Sequence, residues 1–512
     1  MNPSSSNSPC SDAQKIEQLE RKLQWAEWKI RALEERLRLE LIRKYGAKSE
    51  TLSDKQLLLL ELEPGVSSAE VEAESQREPL SPSSTSTAKS PKKSRKHPGR
   101  QELPADLPRV QRVIACTPEQ CFCQACGKET VVIGYEQSEQ LDVEPARFFV
   151  VVTKREKRAC KGCAEGVKAA PLPARIIDKG LVSDRVVIDT IVSKYCDHLP
   201  LYRQSAILER ETGVSISRAT MDGWVMTVGG LLVSMGVAIG RELIVGGYIQ
   251  ADETPIPVQT HDKSGKNHQA YLWQYGRPGG SVVFDFQMGR GREGPKKFLG
   301  QFKGILQTDG YIAYDKVGGV GMVHACCWAH ARRKVFDALK LNPDDRLATQ
   351  LVSRIDELFA IDAEAREASM DHGARHLLRQ DRARPLLAVI KQEMETTQAA
   401  VLPASALGKA ISYTLTLWAK LTQFLEHPEL ELSNNLAENS MRPVALGRKN
   451  WIHVGSEHAG PKVAAILSVL ESCRRLKLPA REYLASVLPG LAKLPIQSVG
   501  QYTPSVWAAR SR

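Results

Sequence analysis

The chain has 512 residues, with 70 Lys plus Arg against 59 Asp plus Glu, a net charge of +11, and 42% hydrophobic side chains. This length is too great for one compact core, so about two to four domains are expected, and the hydrophobic share excludes a wholly disordered polymer. The basic excess favours an acidic partner, nucleic acid ahead of a membrane surface.

No apolar run is read as reaching the roughly 18 residues that span a bilayer. The opening "MNPSSSNSPCSDAQ" lacks the charged-then-apolar order of a signal peptide, so a cytoplasmic chain with no membrane partner is expected. In a reducing compartment the eleven cysteines point to metal wherever they lie in close pairs.

Ile16, Leu19, Leu23, Ala26, Ile30, Leu33 and Leu37 recur at steps of three and four, with Glu17, Arg21, Glu27, Arg31 and Glu35 on the other faces. That is the seam of a coiled coil, and residues 1–62 are expected as an oligomerising helix. Residues 63–108 turn to Ser, Pro, Glu and then Lys. "TAKSPKKSRKHPGR" is too polar to build a core and is expected as a flexible basic linker able to touch phosphates.

Residues 109–178 hold two Cys-x-x-Cys knuckles, Cys123 with Cys126 and Cys160 with Cys163, separated by strand-like runs such as "ARFFVVVTKREKRA". Two such turns close a tetrahedral thiolate site, so a zinc ribbon with a structural Zn²⁺ is expected. Cys121 is an alternative to Cys123 as ligand.

Residues 179–240 become helical. A helix over 201–211, a turn at Gly213 and a second helix capped by Ser217 outline a helix-turn-helix, with Arg218 placed to reach a DNA groove.

The acids that matter lie in residues 241–475. "ELIVGGYIQADETPIPV" reads as a strand that carries Asp252 at or just past its end, where Pro255 and Pro257 oppose continuation. Strand candidates "AYLWQYG" and "SVVFDFQ", the helix "GPKKFLGQF" and a strand in "GILQTDGYIAYD" follow, the last placing Asp309 before Gly310. In a mixed sheet the first and fourth strands can be neighbours, which would bring Asp252 beside Asp309. Two adjacent carboxylates are most simply reconciled by a shared divalent cation. Helical periodicity marks an insertion over about 340–432. The helix opened by "NNLAENSMRP" then offers Glu438 as a third carboxylate.

Three carboxylates and substrate phosphate suit two Mg²⁺ or Mn²⁺ ions, with Asp252, Asp309 and Glu438 as catalytic and metal-binding residues. Arg442, Arg448 and Lys449, with Arg332 and Arg333 of "HACCWAHARRK", are expected to face the DNA backbone. Cys327 and His330 stand one helical turn apart and suit either a metal or a packed, hydrogen-bonded brace. Residues 476–512 read as a helical tail.

The motifs "ADETP", "QTDGY", "CWAHARRK", "NNLAENSMRP" and "LGRKNW" resemble those of the insertion sequence 66-type transposases of bacterial mobile elements. "KYGAKSE", "PADLPR", the two-knuckle module and "LPLYRQ" follow in the same order, so the likeness covers nearly the whole chain. The resemblance implies a multidomain α+β and α/β chain. Its ribonuclease-H-like core would carry a helical insertion and follow a coiled coil, a zinc ribbon and a helix-turn-helix-like domain. It assigns an Asp-Asp-Glu triad to Asp252, Asp309 and Glu438.

The implied activity is metal-dependent cleavage of element ends and strand transfer into target DNA. The implied partners are the terminal inverted repeats, target DNA, at least a second copy of the chain, and accessory proteins of the same element. One departure is Asn439, where the family usually carries Arg after the Glu. An inactive, transposase-derived DNA-binding regulator, a ribonuclease-H-like nuclease that cuts without joining, and a structural oligomerisation protein are the alternatives.

Overall fold

The computed structural model describes residues 12–45, 148–154, 156–158, 168–169, 171–178, 180–260 and 267–510. The four expected zinc cysteines and the basic linker lie outside the described residues. The chain divides into two units, one of residues 83–170 and one comprising the rest. In the smaller unit, the short strands Lys157–Arg158 and Lys168–Ala169 pair antiparallel.

The larger unit begins with α1 (Asp12–Tyr45) and resumes with α2 (Asp184–Tyr195), α3 (Leu201–Thr212) and α4 (Arg218–Val245). Gly213 ends α3 in the left-handed region (φ 70°), and the Ser217 side chain accepts from the Thr220 N–H at the start of α4. The turn chemistry is thus as expected, but α4 is not a slender recognition helix. It runs 28 residues and buries Met221, Trp224, Val225, Val228, Leu232, Met235, Ile239 and Leu243. Its length and composition would suffice to cross a bilayer. The uncharged stretch 223–240 therefore corrects the expectation that no such run exists. Glycine, threonine and serine diluted its apolar character in the sequence. Here the helix serves as a core layer, and a Cβ on Gly229 would stand 2.6 Å from the Lys462 Cβ.

The sheet comprises β1 (Tyr248–Val258), β2 (His268–Gly276), β3 (Val282–Gln287), β4 (Ile305–Thr308) and β5 (Val323–Cys326), with α5 (Glu293–Leu299) between β3 and β4. Spatial order is β3-β2-β1-β4-β5; the first two pairings are antiparallel and the last two parallel. β1 starts at Tyr248 because α4 continues through Val245, so "ELIV" is helix. It also continues through both prolines. The pairing with β4 extends only from Tyr248↔Ile305 to Gln250↔Gln307; farther along, that edge of β1 meets a single bridge at Val454, where the Pro257 carbonyl accepts and the Gln259 N–H donates, so neither proline is asked for an N–H. Prolines, lacking an N–H, are tolerated on such an edge.

Side chains alternate across the sheet. Ile249, Ala251 and Leu306 join the core built with α2–α4 and the later helices α13 (Gly460–Arg475) and α14 (Ala480–Leu491). Tyr248 and Ile305 join a second core on the other face. That core is formed with α6 (Trp328–Leu341), α7 (Arg346–Glu367), α8 (His372–Leu378), α9 (Arg384–Ala400), α10 (Ala406–Thr416) and α11 (Trp418–Leu421). The fold is therefore helix, sheet, helix in layers, closed by α12 (Asn435–Trp451).

The edge strand β3 is covered rather than exposed. The Phe284 N–H donates to Ser468 Oγ at 2.8 Å and the Val282 N–H to Ser472 Oγ at 2.9 Å, using hydroxyls one turn apart on α13. Past α14, the tail returns to this core through α15 (Pro504–Arg510), where Ser505 Oγ donates to Glu242 on α4 at 2.6 Å.

Candidate active site

Continuing the parallel register of β1 and β4 by two residues sets Asp309 level with Asp252. Both carboxylates follow Tyr248, Gln250 and Gln307 on the face toward α6. Asp309 lies just past β4, in a turn that needs its glycine. Gly310 has φ 91°, and a Cβ there would stand 2.6 Å from Leu417 Cδ1. Asp309 Oδ1 accepts from the Tyr311 N–H at 2.7 Å, while the Asp309 carbonyl accepts from the Tyr413 hydroxyl on α10. Thr308 Oγ1 accepts from the Gly310 N–H at 3.0 Å and meets His324 Nε2 at 2.9 Å. Burial and Lys420 hold the His324 imidazole down to about 4, so it is neutral around pH 7.

The neighbouring acids of "ADETP" separate cleanly. Asp252 Oδ1 accepts from the neighbouring Glu253 N–H at 2.9 Å. Glu253 points to the opposite face, where Arg290 donates to its Oε1 from Nε and Nη2 (2.9 and 2.6 Å) and Tyr314 donates to its Oε2 (2.9 Å). Arg290 in turn stacks over Tyr311, 4.1 Å from the ring centre. Glu253 is a committed structural acid.

Glu438 arrives on the first turn of α12. Its Oε1 lies 3.6 Å from His330 Nε2 and its Oε2 3.4 Å from Arg333 Nη2. Burial pushes the Asp252 carboxyl well above the usual carboxylate range, and the charges of Glu438, Glu253 and Asp309 push it further. The structure therefore brings Asp252, Asp309 and Glu438 from three separate elements within electrostatic reach.

Among the described residues, no three His, Cys, Asp or Glu side chains are gathered into one ready metal cage. The donor set nevertheless fits a hard divalent cation. It consists of carboxylate oxygens, and their mutual repulsion is felt at the buried Asp252 carboxyl.

Cys327 caps α6 from inside. It is 1% exposed, its Sγ accepts from the Asn434 N–H at 3.4 Å, and burial together with Glu438 pushes its thiol up to about 12. Protonated and accepting from the Asn434 N–H, the thiol braces the start of α12 against α6. His330 is also held neutral by burial, and its Nδ1 is buried without a partner.

The expected DNA contacts fall into different environments. Arg218 and Lys449 are exposed, while Arg333, Arg442 and Arg448 are half-buried. Arg448 donates to the Pro255 carbonyl. Arg332 does not face outward: it is 4% exposed and grips Asp356 of α7 with Nε (2.7 Å) and Nη2 (3.1 Å). In "HARRK" the helical period turns one arginine to the core and the next to the site, which composition alone does not reveal. Asn439 is also buried, at 6%, so its identity bears on packing beside Glu438 rather than on an exposed phosphate contact.

Comparison with known proteins gives this site its context. The model of the "Transposase IS66 family" matches residues 179–462, more than half of the chain and including all three carboxylates. "Zinc-finger binding domain of transposase IS66" matches 120–164, a span that holds all four knuckle cysteines. "Transposase C of IS166 homeodomain" matches 32–112. Among relatives from Sinorhizobium fredii, the uncharacterized protein y4qI is 35% identical over 77% of this chain and 74% of its own. The uncharacterized protein y4hP is 30% identical over 93% of this chain and 88% of its own. With the three models in order along the sequence and relatives of comparable length, the chain belongs to the IS66 family of transposases.

Proposed function

We propose that the chain is the DNA transposase of a bacterial insertion sequence, cleaving element ends and joining their 3′ hydroxyls to target DNA through Asp252, Asp309 and Glu438. The observation that carries this reading is the convergence of the three carboxylates, felt most strongly at Asp252. The strand order β3-β2-β1-β4-β5, with only the first two pairings antiparallel, supports a ribonuclease-H-like core. Asp252, Asp309 and Glu438 would hold Mg²⁺ or Mn²⁺, which when bound supplies activation of the attacking oxygen and charge stabilisation at the leaving one. The protein's own contribution is to fix the carboxylates within β1, just past β4 and on α12, and to offer Arg333, Arg442 and Lys449 to the phosphate backbone. Cys123, Cys126, Cys160 and Cys163 would hold a structural Zn²⁺, in keeping with the family match over 120–164.

The test is strand cleavage and joining on DNA carrying the element's own ends, with Mg²⁺ or Mn²⁺, comparing the chain with Glu438→Gln. Products from the parent and none from the variant are expected. Equal activity in both would remove Glu438 from the site. DNA binding without cleavage in both would favour the regulator that does no chemistry.

A further inference from the structure

One layer of amides lies directly beneath the carboxylates. Gln250 and Gln307 are register partners on β1 and β4, two residues before Asp252 and Asp309, and are 1% and 0% exposed. Neither glutamine bonds into the core of its own face alone. Gln307 Nε2 donates to the Glu431 carbonyl at 2.7 Å, and Gln250 Nε2 donates to the Ser433 carbonyl at 3.0 Å. Tyr248 joins them: its hydroxyl donates to Gln307 Oε1 at 2.6 Å and accepts from the Glu431 N–H at 3.3 Å. Because carbonyls only accept, these contacts fix which way both amides point.

The residues between them bond to the other side. The Trp328 N–H at the start of α6 donates to the Leu432 carbonyl at 2.8 Å, and the Asn434 N–H donates to Cys327 Sγ at 3.4 Å. Residues 431–434 are thus pinned alternately, odd positions to the sheet amides and even positions to α6. The Asn434 carbonyl then accepts from the Ala437 and Glu438 N–H groups at 2.9 and 3.2 Å, opening α12. No step in that path is slack: sheet amide, segment 431–434, helix start, Glu438.

We propose that Gln250 and Gln307 are positioning residues, whose side-chain amides set where α12 begins and so place Glu438 relative to the aspartates two residues farther along the same strands. The proposal rests on the carboxylate site described above. It treats the two glutamines as part of the sheet's means of holding an acid supplied by a distant stretch of chain.

The test compares Gln250→Met and Gln307→Met in the full chain with Gln204→Met. Gln204 is also a buried glutamine, donating to the Leu199 carbonyl at 2.8 Å and the Thr190 carbonyl at 3.3 Å between α2 and α3, away from the carboxylates. It controls for the general cost of losing a buried amide. Two readouts are taken: hydrogen exchange of the peptide covering 431–441, and Mn²⁺ affinity by electron paramagnetic resonance. Faster exchange in 431–441 and an affinity loss of about 10-fold are expected for the first two variants and not for Gln204→Met. Exchange and affinity no different from the control would overturn the proposal. Should Gln307→Met fail to fold, Gln250→Met, which removes the Ser433 contact, decides the same question. Equal Mn²⁺ binding by the parent and Asp252→Asn would refute the metal reading instead, and exchange in 431–441 would then decide the positioning role alone.

Discussion

Asp252 shows what the site costs the fold. Its carboxyl holds a proton more tightly in the folded chain than in the unfolded one, through burial and then through Glu438, Glu253 and Asp309. The stability it contributes is therefore complete below the ordinary carboxylate range and is lost as pH rises through the elevated folded value. At neutral pH without divalent cation, folding must either bury the Asp252 charge or take up a proton, and both oppose folding. Asp252→Asn keeps the shape and removes the charge, so in a chelator its thermal midpoint should exceed the parent's by about 2–4 °C, the shift that ~1 kcal/mol gives a large domain. Lowering the pH toward the ordinary carboxylate range should narrow that gap. Mg²⁺ should then raise the parent's midpoint and leave the variant's nearly unchanged, because a ligand stabilises only the state that binds it. A variant no more stable than the parent in chelator would show that the carboxylates do not repel.

Between helices, the Arg332–Asp356 pair latches α6 to α7, so the helix carrying His330 and Arg333 is anchored to the insertion. Arg332→Ala leaves Asp356 facing a buried gap and should cost about 3 kcal/mol of stability, read by urea unfolding, while the salt slope of DNA binding stays put. Lys449→Ala should do the reverse: unchanged unfolding, with a salt slope smaller by about 1. Matching effects from the two variants would mean that the arginine is no latch. The contrast also marks what the sequence could say. Turn chemistry at Gly213 and Ser217, the strands that carry Asp252 and lead to Asp309, and the helix that carries Glu438 were legible because each has a local cause in period, cap or turn. The helical nature of "ELIV" was hidden because a short apolar run suits a strand or a buried helix equally. β5 was hidden because its four residues, "VHAC", give no period at all. The Gln250, Gln307 and Tyr413 contacts were beyond reach for another reason: each depends on residues more than one hundred positions away.

The largest unpaired feature of the described chain is α1. Ile16, Leu19, Leu23, Ile30, Leu33 and Leu37, the expected seam, are 53–63% exposed, whereas core residues of the sheet approach zero. Near its end α1 does touch its own chain, through Arg38 to the Leu341 carbonyl and the Ala406 N–H to Glu35, but these contacts use polar side chains off the seam. An apolar stripe sustained for three heptads gains by burial against an identical stripe, and a second copy of α1 supplies one. Two element ends also call for two active sites, so the same contact would serve the proposed chemistry. Leu19→Glu with Leu23→Glu sets four carboxylates into a two-stranded seam and should convert the oligomer to monomer, read by light scattering during gel filtration. Single-end cleavage should survive in that double variant, since no catalytic carboxylate is altered, while coordinated joining of two ends should fail. A parent that runs as a monomer, or a double variant that keeps the parent's mass, would assign the α1 stripe to some other surface and leave the pairing of active sites to another part of the chain.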